Sequence, residues 1–259
     1  MPSSDACWSL VTGASSGLGM ELARQLAAQG TDVVLTARSA EPMETLAAEL
    51  RARHGVNVEV QPIDLGRPGS AAELKRRLDA RAIAPDILIN NAAFGISDRF
   101  VDQEPDRLAA MLQLNIVSLT ELAHAFGRQM SANRRGHILL VASMAAYLPT
   151  PMLATYGASK AYVLSLGEAL NVELGGEVGV TVLSPGLMDT GFASASGYQA
   201  PKSAYENVLP PAAVAKIGLE AMFAGKSSIV AGHSNRIMAL ATRFVSRHHL
   251  ARSVLRMAR

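Results

Sequence analysis

Thr12-Gly13-Ala14-Ser15-Ser16-Gly17-Leu18-Gly19 is the stretch on which the reading of this chain turns. An apolar run, Trp-Ser-Leu-Val-Thr at residues 8–12, leads into it, and a helical pattern over residues 18–29 follows. Between a strand and a helix, the three glycines have separate uses. Gly13 permits a tight turn, Gly17 lets backbone N–H groups approach a pyrophosphate, and Gly19 lets the helix pack closely. The first N–H groups of such a helix have no partners within it, and with the positive dipole end they face an anion. Ser15, Ser16 and Leu18 complete the segment that would line it. The spacing is G-x3-G-x-G, not G-x-G-x-x-G. A ligand-free glycine turn competes with this reading; the strand–helix context argues against it.

Outward from this turn, short runs rich in Val, Ile and Leu alternate with longer helical patterns. Strands are predicted at 8–12, 32–36, 57–61, 86–90, 137–142, 179–184 and 228–231, and helices at 18–29, 42–53, 71–81, 105–132, 155–174 and 211–223. Several strands are apolar throughout, as strands covered on both faces are. Gly30, Gly55 and Gly136 stand where helical patterns stop. The alternation predicts an α/β fold: a Rossmann-type doubly wound parallel sheet of about seven strands, helices on both faces, in three layers. One domain over residues 1–234 is expected, with an extension over 235–259.

Composition narrows the classes. The chain has 259 residues, 49% hydrophobic and 18% charged, enough for one large core. A single cysteine, Cys7, excludes an internal disulfide framework and a cysteine-built metal centre, and no metal site is expected. Residues 1–6 lack a basic-then-apolar leader pattern, and no run approaches the ~20 uninterrupted apolar residues of a membrane span. A cytoplasmic globule is the expectation.

The second predicted strand ends in Ala37-Arg38-Ser39. An acidic residue at this place would take the ribose 2′-hydroxyl of NAD, whereas arginine accommodates the 2′-phosphate of NADP. Arg38 therefore points to NADP(H), with a solvated loop charge as the competing reading. Asp32 lies at the other end of that strand. Tyr-x-x-x-Lys occurs twice. Tyr198/Lys202 encloses Pro201, where a continuous helix is disfavoured. Tyr156/Lys160 opens a long helical pattern that sets both side chains on one face, and an ammonium nearby favours phenolate over phenol. That suits a general acid/base. Ser143 follows a buried-strand pattern and can donate to a substrate oxygen.

With these residues in order, the sequence resembles the short-chain dehydrogenase/reductase family in its common form of about 250 residues. The resemblance rests on residues 12–19, Asp64-Leu65, Asn90-Asn91-Ala92, Asn115, Ser143, Tyr156/Lys160, Pro185-Gly186 and Thr190. It implies that Tyr156 is the proton donor and acceptor and that Ser143 holds the substrate oxygen. It also implies that Lys160 lowers the Tyr156 pKa and bonds the nicotinamide ribose, and that Asn115 holds a water linking Lys160 to solvent. Asp64 and Leu65 would contact adenine, Asn90–Ala92 would border the adenosine ribose, and 185–190 would hold nicotinamide and pyrophosphate. Ala93 departs from the family's Asn-Asn-Ala-Gly and narrows the space beside the cofactor. The reaction implied is hydride transfer between nicotinamide and a carbonyl or alcohol; a non-catalytic NADP-binding scaffold or redox sensor is the rival.

Residues 187–211, rich in small residues, are read as a mobile substrate lid. Phe94, Ala145, Leu148, Leu187 and Phe192, with Met144 and Met188, offer an apolar pocket, although ordinary core packing explains each as well. No Lys or Arg stands among them, so a hydrophobic ketone or aldehyde of lipid, steroid or acyl type is favoured over a keto acid. The two long helical patterns at 105–132 and 155–174 resemble those through which family members pair, so a homodimer or homotetramer is expected. Residues 221–259 carry seven of the 24 Lys/Arg and none of the 22 Asp/Glu. Ile237, Leu240, Ala241 and Phe244 recur there at helical spacing among arginines. A helix packed on its own domain or a sister subunit, an interfacial helix on anionic lipid, and a disordered tail stay open. Nucleic-acid binding is not expected, since no aromatic interleaving accompanies the charge.

Overall fold

The computed structural model describes residues 7–188, 191–198 and 208–257. Seven strands form one sheet: β1 (Trp8–Thr12), β2 (Asp32–Ala37), β3 (Val58–Pro62), β4 (Ile87–Asn90), β5 (His137–Val141), β6 (Gly179–Ser184) and β7 (Ser228–Val230). Their order is β3-β2-β1-β4-β5-β6-β7, and every neighbouring pair is parallel. The helices are α1 (Gly17–Ala28), α2 (Ala40–His54), α3 (Ser70–Asp79), α4 (Pro105–Leu112), α5 (Leu119–Ala132), α6 (Ala154–Glu173), α7 (Phe192–Ser196), α8 (Pro211–Phe223), α9 (His233–Ala241) and α10 (Arg247–Met257).

Side chains alternate across a strand, so each strand feeds two cores. Val11, Val33, Leu35, Ile89, Leu139 and Leu183 face one side, where α1, α2 and α8 bring Leu22, Leu46 and Leu219. Leu10, Val34, Leu88, Ile138, Leu140 and Val182 face the other, with Leu74 of α3, Phe126 of α5 and Val163 of α6. The all-apolar strand sequences follow from this double coverage, and three layers result.

The chain reverses direction across the sheet between β1 and β4. Parallel strands end together, so the segments after β1, β4, β5 and β6 gather along one edge, where ligands of open α/β sheets bind. Residues 105–132 read as one helix in sequence. In the structure α4 and α5 are joined by a π-helical turn, Gln113–Ser118, that contains Asn115. That helical stretch is long and apolar enough to cross a membrane by length and composition. Here Leu119, Leu122, Phe126 and Met130 of α5 are buried in the second core. Gly55 ends α2 in the left-handed conformation, as its position in the sequence predicts.

Candidate active site

The glycine turn is built as a close-packed cradle. Gly13 adopts φ +67°, and its N–H donates to the Thr36 carbonyl at 2.8 Å. A Cβ on Gly19 would stand 2.2 Å from the Gly13 carbonyl oxygen and 2.7 Å from Asn91 Nδ2, so only glycine fits. Thr12, not singled out by the sequence reading as a site residue, is the bracket. Its hydroxyl accepts from the N–H groups of Asn91 and Ala92, each at 2.9 Å, and Asn91 Nδ2 returns a bond to the Thr12 carbonyl at 2.9 Å. The loops after β1 and β4 are thereby locked together. Asn90 is turned elsewhere: its Nδ2 donates to the Leu119 carbonyl at 2.9 Å and ties β4 to α5.

Arg38 and Ser39 are exposed beyond β2, and the Arg38 side chain makes no hydrogen bond or ion pair among the described residues. Asp32, at the far end of β2, accepts from the Asn57 N–H at 2.7 Å and from its Nδ2 at 3.0 Å, a structural role. Asp64 receives the Gly66 N–H at 2.9 Å. Leu65 is buried beneath, its carbonyl taking the Ser118 hydroxyl at 2.6 Å. The Pro185 carbonyl accepts the Met144 N–H at 2.8 Å, and Gly186 packs against Asn235, which a Cβ would meet at 2.3 Å. Ser15 and Ser16 lie at the open side of the turn, while Leu18 is buried behind it. Thr190 lies outside the described residues.

At the same edge Ser143, Tyr156 and Lys160 come together. Ser143 caps the turn after β5, accepting from the Ala145 N–H at 3.1 Å, and its hydroxyl lies near enough to Tyr156 to favour the phenolate. Tyr156 and Lys160, one turn apart on α6, are both buried. Lys160 Nζ donates to the Val141 carbonyl at 2.8 Å and stands 5.8 Å from the Tyr156 ring centre. The expectation that Lys160 depresses the Tyr156 pKa is not what this geometry gives. Burial pushes Tyr156 up to about 12, with the Ser143 hydroxyl pulling the other way, and pushes Lys160 down to about 7. Loss of hydration outweighs mutual attraction when both groups are removed from water. Of the second motif, Tyr198 follows α7, and Lys202 lies outside the described residues.

The Asn115 side chain is buried and bonded to protein groups on both sides. Its Nδ2 donates to the Phe94 carbonyl at 2.9 Å and to Ser159 Oγ at 3.1 Å, while Oδ1 takes the Phe94 N–H at 3.2 Å. Ser159, missed in the sequence reading, donates to the Tyr156 carbonyl at 2.7 Å. Asn115 thus ties the loop carrying Phe94 to the helix carrying Tyr156, and the Ser three places after Tyr156 was the available signal.

Phe94, Ala145 and Phe192 pack around Tyr156 as expected, the two aromatic rings of Tyr156 and Phe192 lying 5.2 Å apart. Ile96, Leu108, Met111 and Leu153 join them and were not foreseen. Leu148 and Leu187 are half-buried outside this cluster, and Met188 packs on the core beneath α1, α2 and α8. Two residues beyond Ala93, a Cβ on Gly95 would meet the Phe192 ring at 2.9 Å and Tyr156 at 3.3 Å. Within the stretch read as a lid, α7 is a short helix. The Ser97 N–H donates to the Ser196 carbonyl at 2.8 Å and Arg107 to the Ala195 carbonyl at 3.1 Å, so α7 is pinned over Tyr156. A cavity of about 290 Å³ lined by Cys7, Asp86, Arg135 and His137 lies at the opposite edge of the sheet, away from this cluster.

The buried pair has a consequence for stability. Unfolded, Lys160 holds its proton to about 10.5; folded, it releases it near 7. Between those values the unfolded chain binds more protons, so this group makes stability rise with pH. Tyr156 opposes this only above about 10, because the folded phenol keeps its proton to about 12. The difference in melting temperature, Lys160→Met minus wild type, is therefore expected to fall as pH rises from about 7 toward 10. A difference that does not change with pH contradicts the burial cost.

The comparisons agree with this geometry. Residues 8–200 match the family model for short chain dehydrogenase. The chain is 32% identical to the "Probable oxidoreductase EphD" of Mycobacterium tuberculosis over 200 residues, which cover 76% of this chain and 34% of that protein. It is 31% identical to the "Very-long-chain 3-oxoacyl-CoA reductase" of Laccaria bicolor over 169 residues, 64% of this chain and 50% of that one. The chain thus spans between a third and a half of these relatives' length. Among solved structures, a short-chain dehydrogenase from Sphingobium yanoikuyae in complex with NADPH superposes with a TM-score of 0.82 at 31% identity, covering 92% of this chain and 93% of that one. A structure described for 7beta-hydroxysteroid dehydrogenase stereoselectivity gives a TM-score of 0.87 at 26% identity, covering 96% of each chain. A seven-stranded parallel sheet, a glycine cradle on its first strand and a buried Tyr–Lys pair at its carboxyl edge belong with these matches: the chain is a member of the short-chain dehydrogenase family.

Proposed function

We propose that the protein is an NADP(H)-dependent oxidoreductase that interconverts a hydrophobic ketone or aldehyde and its alcohol. The observation that carries this is the buried Tyr156, with Ser143 near it and walled by Phe94, Ile96, Met111 and Phe192, at the sheet edge that also holds the glycine cradle. The turn suits a dinucleotide: Gly13 and Gly19, where a Cβ would strike the Asn91 side chain or the Gly13 carbonyl, let it close tightly against the start of α1, and the exposed, unpaired Arg38 suits a 2′-phosphate. The solved relative with NADPH supports the same choice. Bound there, the cofactor would supply the hydride.

The chain's own residues supply the rest. Ser143 Oγ donates to the substrate oxygen and strengthens that bond as negative charge grows there. Tyr156 Oη passes its proton to the same oxygen. Burial keeps this phenol protonated at neutral pH, which poises it as a donor for carbonyl reduction. Lys160, held by the Val141 carbonyl and titrating near 7, exchanges protons readily at that pH. Asn115 and Ser159 hold the Phe94 loop and the Tyr156 backbone in register. The 3-oxoacyl-CoA reductase and 7beta-hydroxysteroid dehydrogenase names among its relatives and solved neighbours support an apolar substrate body. The exposed Val117 and Tyr162, on the helices expected to pair, support a homodimer or homotetramer. A reducing, cytoplasmic setting fits the single thiol.

The test is NADPH consumption over carbonyls of graded chain length. NADPH binding with no hydride transfer to any of them favours the scaffold reading. Arg38→Asp is expected to move the ratio of kcat/KM for NADP(H) over NAD(H) down by roughly tenfold or more, the worth of a charge-assisted bond. An unchanged ratio removes Arg38 from cofactor selection.

A further inference from the structure

In the C-terminal extension, α9 and the turn after it leave large apolar side chains in water. Ile237, Met238 and Leu240 of α9 are 57, 53 and 55% exposed, Phe244 in the following turn is 83% exposed, and only Ala239 of α9 is buried. Arg236, Arg243, Arg247, Arg252 and Arg256 are interleaved with them and exposed, and no acidic residue occurs from 221 to the end. Apolar patches rimmed in this way mark interaction surfaces. The patch is anchored to the body: Arg236 Nε donates to the Val230 carbonyl at 2.9 Å, Asn235 Nδ2 donates to the Ala231 carbonyl at 2.7 Å, and Asn235 packs on Gly186. It therefore stands beside the rim of the catalytic edge.

We propose that α9, α10 and the turn between them dock on an anionic lipid bilayer, with Ile237, Leu240 and Phe244 entering the acyl boundary and the arginines pairing with headgroup phosphates. The charge decides between occupants. A second copy related by a two-fold axis would set this patch against itself, cation against cation, which a self-complementary interface cannot tolerate. An anionic leaflet answers both halves of the pattern, apolar and basic. This inference does not depend on the catalytic reading, since binding alone is measured.

The experiment is co-sedimentation of the full chain with phosphatidylcholine vesicles and with vesicles carrying about 30% phosphatidylglycerol. Wild-type protein is expected in the pellet with the anionic vesicles only, and raising the salt should release it. Arg243→Gln with Arg247→Gln should weaken partitioning roughly fivefold for each arginine. Leu240→Ser with Phe244→Ser should abolish it, and because those side chains are exposed the melting temperature should not change. Three results overturn the proposal: no pelleting of the wild type, equal pelleting with neutral vesicles, or variants that pellet like wild type. A solution mass that halves in the Leu240→Ser, Phe244→Ser variant without vesicles also overturns it and assigns the patch to a second copy.

Discussion

Tyr156→Phe should lose NADPH-dependent carbonyl reduction by roughly 10²- to 10⁴-fold, the usual worth of a positioned general acid. The substitution removes one oxygen and little else. The ring stays packed against Ile96, Met111 and Phe192, and only the hydroxyl near Ser143 is lost. The fold should therefore survive, at a cost of no more than about 1 kcal/mol. The cofactor cradle lies on residues 12–19 and 90–92, so NADPH should bind with nearly unchanged affinity. Turnover followed at the NADPH absorbance band, beside a binding titration, separates the two. Near-wild-type turnover removes Tyr156 from the chemistry, whereas loss of binding would mean that the variant damages the cradle and not the proton transfer.

Gly19→Ala is the second large effect, and it acts at the other end of the site. The new methyl would lie 2.2 Å from the Gly13 carbonyl oxygen, a backbone atom with no rotamer to retreat into. Either α1 moves away from the turn or the turn opens, and both misalign the N–H groups that would face a pyrophosphate. The overpacking should cost about 1–3 kcal/mol of stability. NADPH affinity should fall by at least about tenfold, the loss of roughly one charge-assisted bond. Thermal melting and NADPH fluorescence titration read the two consequences. Unchanged affinity places the pyrophosphate elsewhere.

The two substitutions probe parts of the protein that were unequally legible. All seven strands were recoverable from apolar runs because parallel strands covered on both faces carry no polar positions to obscure them. Strand ends differ from the expected ones by a residue or so, as at Val58–Pro62 against 57–61, because flanking residues in extended conformation join the ladder. Tyr156 and Lys160 were readable because helical spacing alone puts them on one face. Their pKa directions were not, because burial is a property of the surroundings. Phe94, Ala145 and Phe192 were foreseen as pocket residues, but Leu148 and Leu187, equally apolar, were not separable from them by sequence.

The order of strands and helices, the glycine turn between β1 and α1 and the placing of Tyr156 and Lys160 on one helix face were determined by the sequence itself, because each depends on local spacing and residue type. Tertiary structure alone decided three matters. It brought Asn115 onto Phe94 and Ser159, 21 and 44 residues away, through a π-helical turn with no sequence signature. It made Thr12 the bracket between two loops 79 residues apart. And it left the apolar residues of α9 in solvent while identical residue types elsewhere were buried. Hydrogen-bond partners and solvent access are set by what the rest of the chain places alongside, and no local pattern records that.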